Sequence, residues 1–461
     1  MAHELLIARD RQHLIHSAVP WSMHEERGAT ILKSGAGIFL TDADGHRVLD
    51  GFSGLWCVNI GYGQQSVVAA AAEQMARLPY ATGYFHFSNE PAIELAAKLA
   101  DRAPGDLKHV FFSQGGSDAI DSAIRLIRYY FNITGRPSKK HMIAVDRGYH
   151  GSSSIGAGIT GLPAFHANFD APEPTQHHIP AAYPYRFDGD DASLISRSVR
   201  DLQTMVETLG PDNVAAFFAE PVIGSGGVII PPDGWYRAMA ATCRDLDILF
   251  VADEVITAFG RTGPLFGSNH DDVAPDLMTL AKGLTSGYAP MGALLVSDRI
   301  YRAIADRTPS GAIIGHGQTY SGHPVSAAVG LEVLRLYEEG GIIANGRSSG
   351  EYLARALAPL RSHPLVGNLR LRGLLAGIEI VTDKRTKTRP DPSLGLPEAL
   401  ARIGYANGLV FRAFGDAMIG IAPPLIITTA EIDILVERLS RTLDAALEIA
   451  EVRAALDSRP R

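Results

Sequence analysis

The sequence predicts an α/β fold in which helices cover a mostly parallel central sheet and the chain forms a second, smaller lobe. Short apolar runs bounded by turn residues alternate with helical stretches between residues 110 and 296. This alternation is typical of parallel sheets whose strands are buried on both faces. At 461 residues the chain is also too long for one compact core of ordinary size, which favours two lobes.

Each predicted strand of the sheet is a buried apolar run. The predicted strands are Val110–Ser113, Met142–Val145, Val214–Ala219, Ile248–Ala252, Leu277–Leu280 and Ala293–Val296. Between them, apolar residues at helical spacing predict one helix over Ala119–Phe131 and another over Leu194–Leu209. Open sheets of this kind bind ligands at the carboxyl ends of their strands, so the polar residues after these runs are the candidates for function.

The segments before and after the sheet follow other patterns. Ile31–Leu49 contains two turn signals between short apolar runs, which predicts a small antiparallel meander. After residue 326 we expect helices over Ala327–Tyr337 and Tyr352–Leu360, a strand over Gly373–Ile380, an exposed loop over Arg385–Leu396 and a final helix from about Ala430 to the C-terminus. Periodicity leaves open whether the two segments share one lobe.

Charge and composition exclude several classes of protein. A formal net charge of −8 argues against a nucleic-acid partner, because phosphates require a basic face. The opening MAHELLIARDRQHLIH does not have the pattern of a secretory signal, and no apolar run is long enough to span a membrane. Cys57 and Cys243 cannot form a metal site by themselves, and we expect two reduced thiols, with a disulfide left open. The sequence therefore predicts a cytoplasmic protein without a metal.

Lys282 is the first candidate for chemistry. It follows the apolar run Leu277–Ala281 in a chain that is poor in lysine. Burial lowers the pKa of a lysine amine and makes it a nucleophile at neutral pH. The alternative is a lysine that only covers the end of a strand.

Asp253 is the second candidate, since it ends the apolar run Ile248–Ala252. A carboxylate after a strand is often only a helix N-cap. With Lys282 after the next strand, it could instead keep a pyridine nitrogen protonated, which makes the ring a strong electron sink.

Two turns complete the set of candidates. Ser113–Asp118 opens a helix with small residues, which suits a phosphate held by backbone N–H groups, although ordinary capping by Ser117 explains it as well. Gly148–Gly151 places Tyr149 where it could stack on a flat ring, and we interpret His150 as structural.

In order and spacing, these segments resemble the class III aminotransferases, which are fold-type I enzymes that depend on pyridoxal 5′-phosphate (PLP). The matching stretches are Phe250–Gly263 (FVADEVITAFGRTG), Asp276–Gly292 (DLMTLAKGLTSGYAPMG), Leu55–Gly63, Ala219–Pro221 and His316–Pro324. The resemblance implies a large PLP-binding domain at residues 61–325 and a smaller α+β domain built from both termini, with residues 1–60 and 326–461. It also implies a homodimer that shares its active sites across the interface, with pairing into a tetramer left open.

The resemblance assigns a role to each cofactor-site residue. Lys282 would hold PLP covalently and act as the base that moves a proton, and Asp253 would bind the pyridine nitrogen. Tyr149 and Val255 would pack on opposite faces of the ring, and Glu220 would lie near its phenolic side. The phosphate would be bound by Gly116 and Ser117 and, from the neighbouring subunit, by Thr319.

Within the class, the sequence is most similar to omega-aminotransferases of the amine:pyruvate kind. Trp56 matches an aromatic wall of their substrate site, and Arg412 matches a mobile arginine that binds the acceptor carboxylate. Tyr84 and Phe85 would shape the donor pocket. Ser225 stands where ornithine and 4-aminobutyrate aminotransferases have a glutamate, which weighs against those activities. The implied reaction transfers an amino group from an omega-amino acid or primary amine, including diamines, to an α-keto acid, with pyruvate favoured and alanine as the product.

The sequence also departs from the pattern and leaves alternatives. The phosphate loop usually reads S-G-S-E, whereas Gly115–Asp118 reads GGSD, so one hydroxyl is lost while the backbone donors remain. Another class III activity, such as a 2-oxoglutarate-dependent aminotransferase or an aminomutase, stays open, as does a PLP decarboxylase. Gly156–Gly161 matches a dinucleotide-binding pattern but does not directly follow a strand, which weighs against an oxidoreductase. A PLP-fold binding protein without activity is disfavoured by the presence of Lys282, Asp253 and Arg412.

Overall fold

The structure is a computed structural model that describes residues 2–457. Its strands are β1 Leu32–Ala36, β2 Phe39–Asp42, β3 Arg47–Asp50, β4 Leu107–Ser113, β5 His141–Val145, β6 Gln176–Ile179, β7 Val214–Ala219, β8 Leu249–Asp253, β9 Leu277–Leu280, β10 Gly292–Ser297, β11 Val366–Arg372, β12 Leu375–Ile380, β13 Leu409–Val410, β14 Arg412–Phe414 and β15 Met418–Ile421. Its helices are α1 Ala2–His13, α2 Trp21–Arg27, α3 Ser53–Trp56, α4 Gln65–Arg77, α5 Glu90–Arg102, α6 Gly116–Ile133, α7 Ser154–Ile159, α8 Asp191–Leu209, α9 Trp235–Asp245, α10 Asp298–Ala305, α11 Pro324–Glu338, α12 Ile342–Leu357, α13 Leu396–Ala406, α14 Thr429–Leu447 and α15 Ala450–Asp457.

The central sheet has seven strands in the order β4-β10-β9-β8-β7-β5-β6. The run from β9 to β6 is parallel, while β10 is antiparallel to both β9 and β4. The predicted fold class, with its mostly parallel sheet, is therefore confirmed, and each predicted strand lies within one residue of an observed strand or inside it. The prediction missed β6, because its sequence QHHI has no apolar run to mark an edge strand.

Helix α6 shows how the sheet is covered. Its residues Ile124, Ile127 and Phe131 lie at helical spacing and pack in one buried cluster with Phe218 of β7 and Val251 of β8. Burial of each such side chain contributes about 1.5–3 kcal/mol. This packing fixes the N-terminus of α6 at the edge of the sheet where β8 and β9 end.

Both termini contribute to the smaller lobe, as the fold class predicted. The meander β1-β2-β3 is antiparallel, and β13 from the C-terminal part pairs with β3 in parallel, with Leu409 opposite Leu49. A separate antiparallel sheet has the order β11-β12-β15-β14. The boundaries predicted for the domains, at residues 60 and 325, stay predictions.

Several predicted elements of the C-terminal part begin or end at other residues than predicted. The helix predicted from Tyr352 begins at Ile342. Residues around Gly350 have low helix propensity, but Gly350 packs closely against the backbone of Gly373, which favours the helix there. The loop predicted to reach Leu396 ends one residue earlier, since Leu396 begins α13 and is buried.

The final helix is also shorter than predicted. It stops at Leu447, and a separate helix follows to Asp457. Predictions that fall on Met1 and on residues 458–461 lie outside the described residues. No helix within residues 2–457 is long and apolar enough to cross a membrane. Cys57 and Cys243 are both free thiols.

Candidate active site

Lys282 lies directly after β9, in a single 3-10 turn over Lys282–Leu284. Its φ of 40° is in the left-handed region, which costs a residue with a side chain about 1–3 kcal/mol. The Nζ atom has no hydrogen-bond partner among residues 2–457 and lies 5.6 Å from the centre of the Trp56 ring. Burial lowers the pKa of Lys282, and the charges of Asp253 and Glu220 oppose that shift only in part. The amine is thus held in place and shifted toward its neutral, nucleophilic form.

Asp253 lies at the same edge of the sheet because it ends β8, the parallel neighbour of β9. Its carboxylate is buried and fully engaged. The Oδ1 atom accepts hydrogen bonds from the Val255 backbone N–H and the Thr279 hydroxyl, each at 3.1 Å. The Oδ2 atom lies 2.8 Å from Nδ1 of His150. Such a network fixes the direction in which the carboxylate faces.

His150 is a site residue that the sequence prediction treated as structural. Burial would lower the pKa of His150, but the hydrogen bond and charge of Asp253 outweigh it and raise that pKa. A histidine that donates from Nδ1 to Asp253 holds both side chains in place. Because His150 and Asp253 are 103 positions apart, no local pattern in the sequence could join them.

Glu220 follows β7 and is buried between two loops of the site. It accepts hydrogen bonds from the Tyr149 N–H at 3.0 Å and from the Gly224 N–H at 2.9 Å. Burial raises the pKa of Glu220 to about 7, although the neighbouring His150 opposes the shift. Glu220 therefore ties the turn that carries Tyr149 to the loop that carries Ser225.

The N-terminus of α6 forms an anion cradle beside these groups. Gly115 caps the helix with extended backbone, so the first N–H groups stay available to a ligand. A Cβ atom at Gly116 would lie 3.0 Å from a methyl group of Val255, so a side chain there would crowd Val255. A Cβ atom at Gly151 would lie 2.8 Å from the Ser117 hydroxyl. These small residues keep open a cradle that a phosphate could occupy.

Together these residues fit PLP. A buried carboxylate, a half-buried amine without a hydrogen-bond partner among residues 2–457, and a phosphate cradle share one edge of the sheet. The Tyr149 ring is braced edge-on by Phe165, with 5.1 Å between the ring centres, and Val255 lies next to the cradle. Asp253, Lys282, Gly116 and Ser117 would hold the cofactor.

The predicted substrate-binding residues Trp56 and Arg412 meet at the hairpin of β14 and β15. Trp56 is buried and stacks on Phe414 with 6.2 Å between ring centres, and the Arg412 guanidinium lies 5.6 Å from the same Phe414 ring. The Trp56 ring also lies beside the Lys282 amine. The Phe414 and Trp56 rings therefore lie between Arg412 and Lys282. The Arg412 side chain is exposed and has no acidic partner within residues 2–457.

Tyr84, Phe85 and Thr319 lie together on an exposed part of the surface. The Tyr80 hydroxyl donates to the Thr319 carbonyl oxygen at 3.0 Å, and the Tyr84 ring lies against Gly317. Tyr84 is 39% exposed and Phe85 is 81% exposed. No hydrogen bond or ring contact in the described chain joins them to Lys282 or Asp253. Ser225, by contrast, follows Gly224, whose N–H donates to Glu220.

The glycine pattern at Gly156–Gly161 does not form a nucleotide loop. Most of it lies within α7, and a Cβ atom at Gly158 would overlap the side chain of Gln176. These glycines are thus explained by close packing, which removes the sequence signal for a nicotinamide enzyme.

Comparison with known proteins agrees with this geometry. Residues 22–443 match the family model of the class-III aminotransferases. The chain is 42% identical over 443 residues to a putrescine–pyruvate aminotransferase of Pseudomonas aeruginosa, with 95% of each chain covered. It is 38% identical over 466 residues to a diaminobutyrate–2-oxoglutarate transaminase of Halomonas elongata, with 99% of each chain covered. The omega transaminase of Pseudomonas jessenii, solved in complex with PMP, superimposes with a TM-score of 0.94 at 37% identity, covering 96% of this chain and 98% of that one.

Proposed function

The chain belongs to the class III aminotransferases, whose cofactor is PLP, and we propose that it transfers the amino group of an omega-amino acid, primary amine or diamine to pyruvate, giving alanine. The observation that carries this proposal is the Arg412 guanidinium, which is exposed, lies beside the aromatic wall of Trp56 and Phe414, and has no acidic partner in the described chain. A guanidinium binds a carboxylate through two parallel hydrogen bonds. A donor amine without a carboxylate would use the aromatic wall instead.

Relatives support the class of donor more firmly than the acceptor. One relative is named for putrescine and pyruvate and another for diaminobutyrate and 2-oxoglutarate. Both named donors carry two amino groups, which fits a pocket with an apolar wall at Trp56. A 2-oxoglutarate-dependent aminotransferase is therefore the second candidate, because Arg412 would bind the carboxylate of either acceptor.

Each site residue has a role in the proposed reaction. Bound PLP supplies an electron-poor ring that takes up the charge left when a proton leaves the donor carbon. Lys282 would hold the cofactor and move that proton, Asp253 would keep the ring nitrogen protonated, and Tyr149 and Val255 would pack on the ring faces. Glu220 would support its phenolic side. We also propose that Thr319 binds phosphate in a neighbouring subunit, which requires at least a homodimer.

A donor and acceptor screen tests the proposal. The PLP-loaded enzyme would be incubated with primary amines, diamines and omega-amino acids, each with pyruvate or 2-oxoglutarate, and alanine and glutamate would be measured. Alanine formed faster than glutamate from at least one amine is expected. Glutamate alone would favour the second candidate. Rearranged amine with no keto acid consumed would point to an aminomutase, and amine lost with release of CO₂ would point to a decarboxylase.

A further inference from the structure

The N-terminal segment, far from β8 and β9 in sequence, contains three side chains with metal-ligating atoms in one place. They are Asp10 near the end of α1, His16 in the connection between helices, and His24 in α2. One ligand atom of each residue lies within 4.8 Å of the other two. We propose that Asp10, His16 and His24 form a binding site for a divalent transition metal, with Zn²⁺ as the ion that suits it best.

The distances from Asp10 to the two histidines are within a few tenths of an ångström of the spacing that a zinc ion imposes. Zinc binds imidazole nitrogen and carboxylate oxygen at about 2.0–2.2 Å, so neighbouring ligand atoms in a tetrahedral site are about 3.3 Å apart. The Nε2 atom of His16 lies 2.9 Å and 3.1 Å from the two carboxylate oxygens of Asp10. The Nε2 atom of His24 lies 3.4 Å from the Asp10 Oδ2 atom. The Nε2 atoms of both imidazoles thus lie within 3.4 Å of the Asp10 carboxylate.

His24 is an independent indication of a missing partner. Its side chain is only 10% exposed, and its Nε2 atom, although close to Asp10, makes no hydrogen bond in the described chain. A buried polar atom without a partner is unfavourable. A metal ion between His24 and Asp10 would satisfy this nitrogen.

Within the described residues, the surrounding segment has little apolar packing, although Arg27 of α2 forms an ion pair with Glu398. Helix α2 buries none of its residues, and it is joined to the preceding turn and helix by a long Trp21 to His16 hydrogen bond of 3.4 Å and by one from Arg11 to the Glu26 carbonyl oxygen. Short segments that cannot build an apolar core are often stabilised by a metal. Two imidazoles and one carboxylate leave a fourth position for water, and this ligand set suits zinc better than calcium or magnesium.

Zinc binding to the holoenzyme tests the site directly. PLP-loaded protein without a polyhistidine tag would be stripped with a chelator, dialysed, and titrated with Zn²⁺ in competition with a chromophoric chelator. One tight equivalent per chain is expected, and His16→Asn, His24→Asn and Asp10→Asn should each lose it. His141→Asn is the matched control, because His141 and His177 lie 2.7 Å apart without a carboxylate ion pair. The control should retain the tight equivalent.

Two further measurements keep the test decisive if a variant is unstable. Co²⁺ added to the parent enzyme should give intense visible bands of tetrahedral coordination, and Zn²⁺ should slow amide hydrogen exchange in residues 2–27 more than elsewhere. An absent tight equivalent, or one that survives in His24→Asn, would overturn the proposal and leave a histidine–aspartate cluster that binds no metal. Because none of these readouts depends on turnover, their outcome is separate from that of the proposed transaminase activity.

Discussion

On the sheet side of the candidate site, Asp253 and Glu220 are each 3% exposed and are held by hydrogen bonds, whereas on the substrate side Arg412, Tyr84 and Phe85 face solvent. The first group is fixed by parallel strands that end at one edge. The second is placed by a short hairpin and by a loop at the surface. The difference predicts that changes on the sheet side affect turnover most, while changes on the substrate side affect the use of particular substrates.

Loss of Lys282 should have the largest effect on the sheet side. Proton transfer by a placed amine contributes about 10²- to 10⁴-fold in rate, so Lys282→Ala should lose at least that much in kcat. Lys139 offers a control lysine, since it is buried but its amine donates to three backbone carbonyl oxygens at 2.7–3.3 Å. Lys139→Ala should lower the unfolding temperature and leave kcat of the folded enzyme unchanged. Near-normal turnover in Lys282→Ala would exclude the assignment.

Asp253→Asn should rank next. The amide is neutral and cannot keep a ring nitrogen protonated, and removal of such an electrostatic interaction costs about 10²- to 10³-fold in kcat. The His150 and Thr279 contacts would persist in altered form, so the protein should still fold. Steady-state kinetics would measure the loss, and a variant within a few fold of the parent would show that the carboxylate is only structural.

Arg412→Ala probes the substrate side. Charge-assisted hydrogen bonds contribute about 1.5–3 kcal/mol, so kcat/KM for pyruvate should fall roughly 10- to 150-fold while kcat/KM for a diamine falls much less. Arg372→Ala is the control, because Arg372 is paired with Asp233 at 2.5 Å. Equal losses for both substrates would count against a carboxylate-binding role.

A smaller effect is expected at the contact that joins the two sides. Arg147 forms an ion pair with Asp416, in the hairpin turn that follows Arg412, and donates to the Gly226 carbonyl oxygen at 2.8 Å and 2.9 Å. Arg147→Met should loosen the Arg412 hairpin and raise KM for pyruvate a few fold, since a partly exposed pair contributes about 1 kcal/mol or less. A change in kcat without a change in KM would place Arg147 on the cofactor side instead.

Glu220 should produce an effect on stability that depends on pH. Burial raises its pKa from 4.5 to about 7, so the folded protein holds a proton that the unfolded chain loses. This contribution to stability is present below about pH 4.5 and is lost as the pH rises through 7. Cofactor-free Glu220→Gln should therefore gain stability relative to the parent between pH 5 and 8, as thermal unfolding would measure. A pH-independent difference would contradict the raised pKa.

The sequence could predict most of the sheet side and less of the substrate side. Lys282 and Asp253 each follow an apolar run that predicts a strand. Because parallel strands bring their carboxyl ends to one edge, the sequence could predict that these two residues lie close together. His150 was missed, because its partner Asp253 is distant in sequence and the turn around it looks ordinary. The role predicted for Thr319 requires a neighbouring subunit, and no strand pattern within one chain can place Thr319 or Tyr84 beside the other site residues.

The most direct test of the central claim is to locate the cofactor-bearing amine. Borohydride reduction of the PLP-loaded enzyme would fix the cofactor permanently to the amine that holds it, and proteolysis with mass spectrometry would identify the labelled peptide. A single label on Lys282, within Leu277–Leu284, is the predicted result. A label on Lys139 or another lysine, or no label in protein that binds PLP, would contradict the assignment of Lys282.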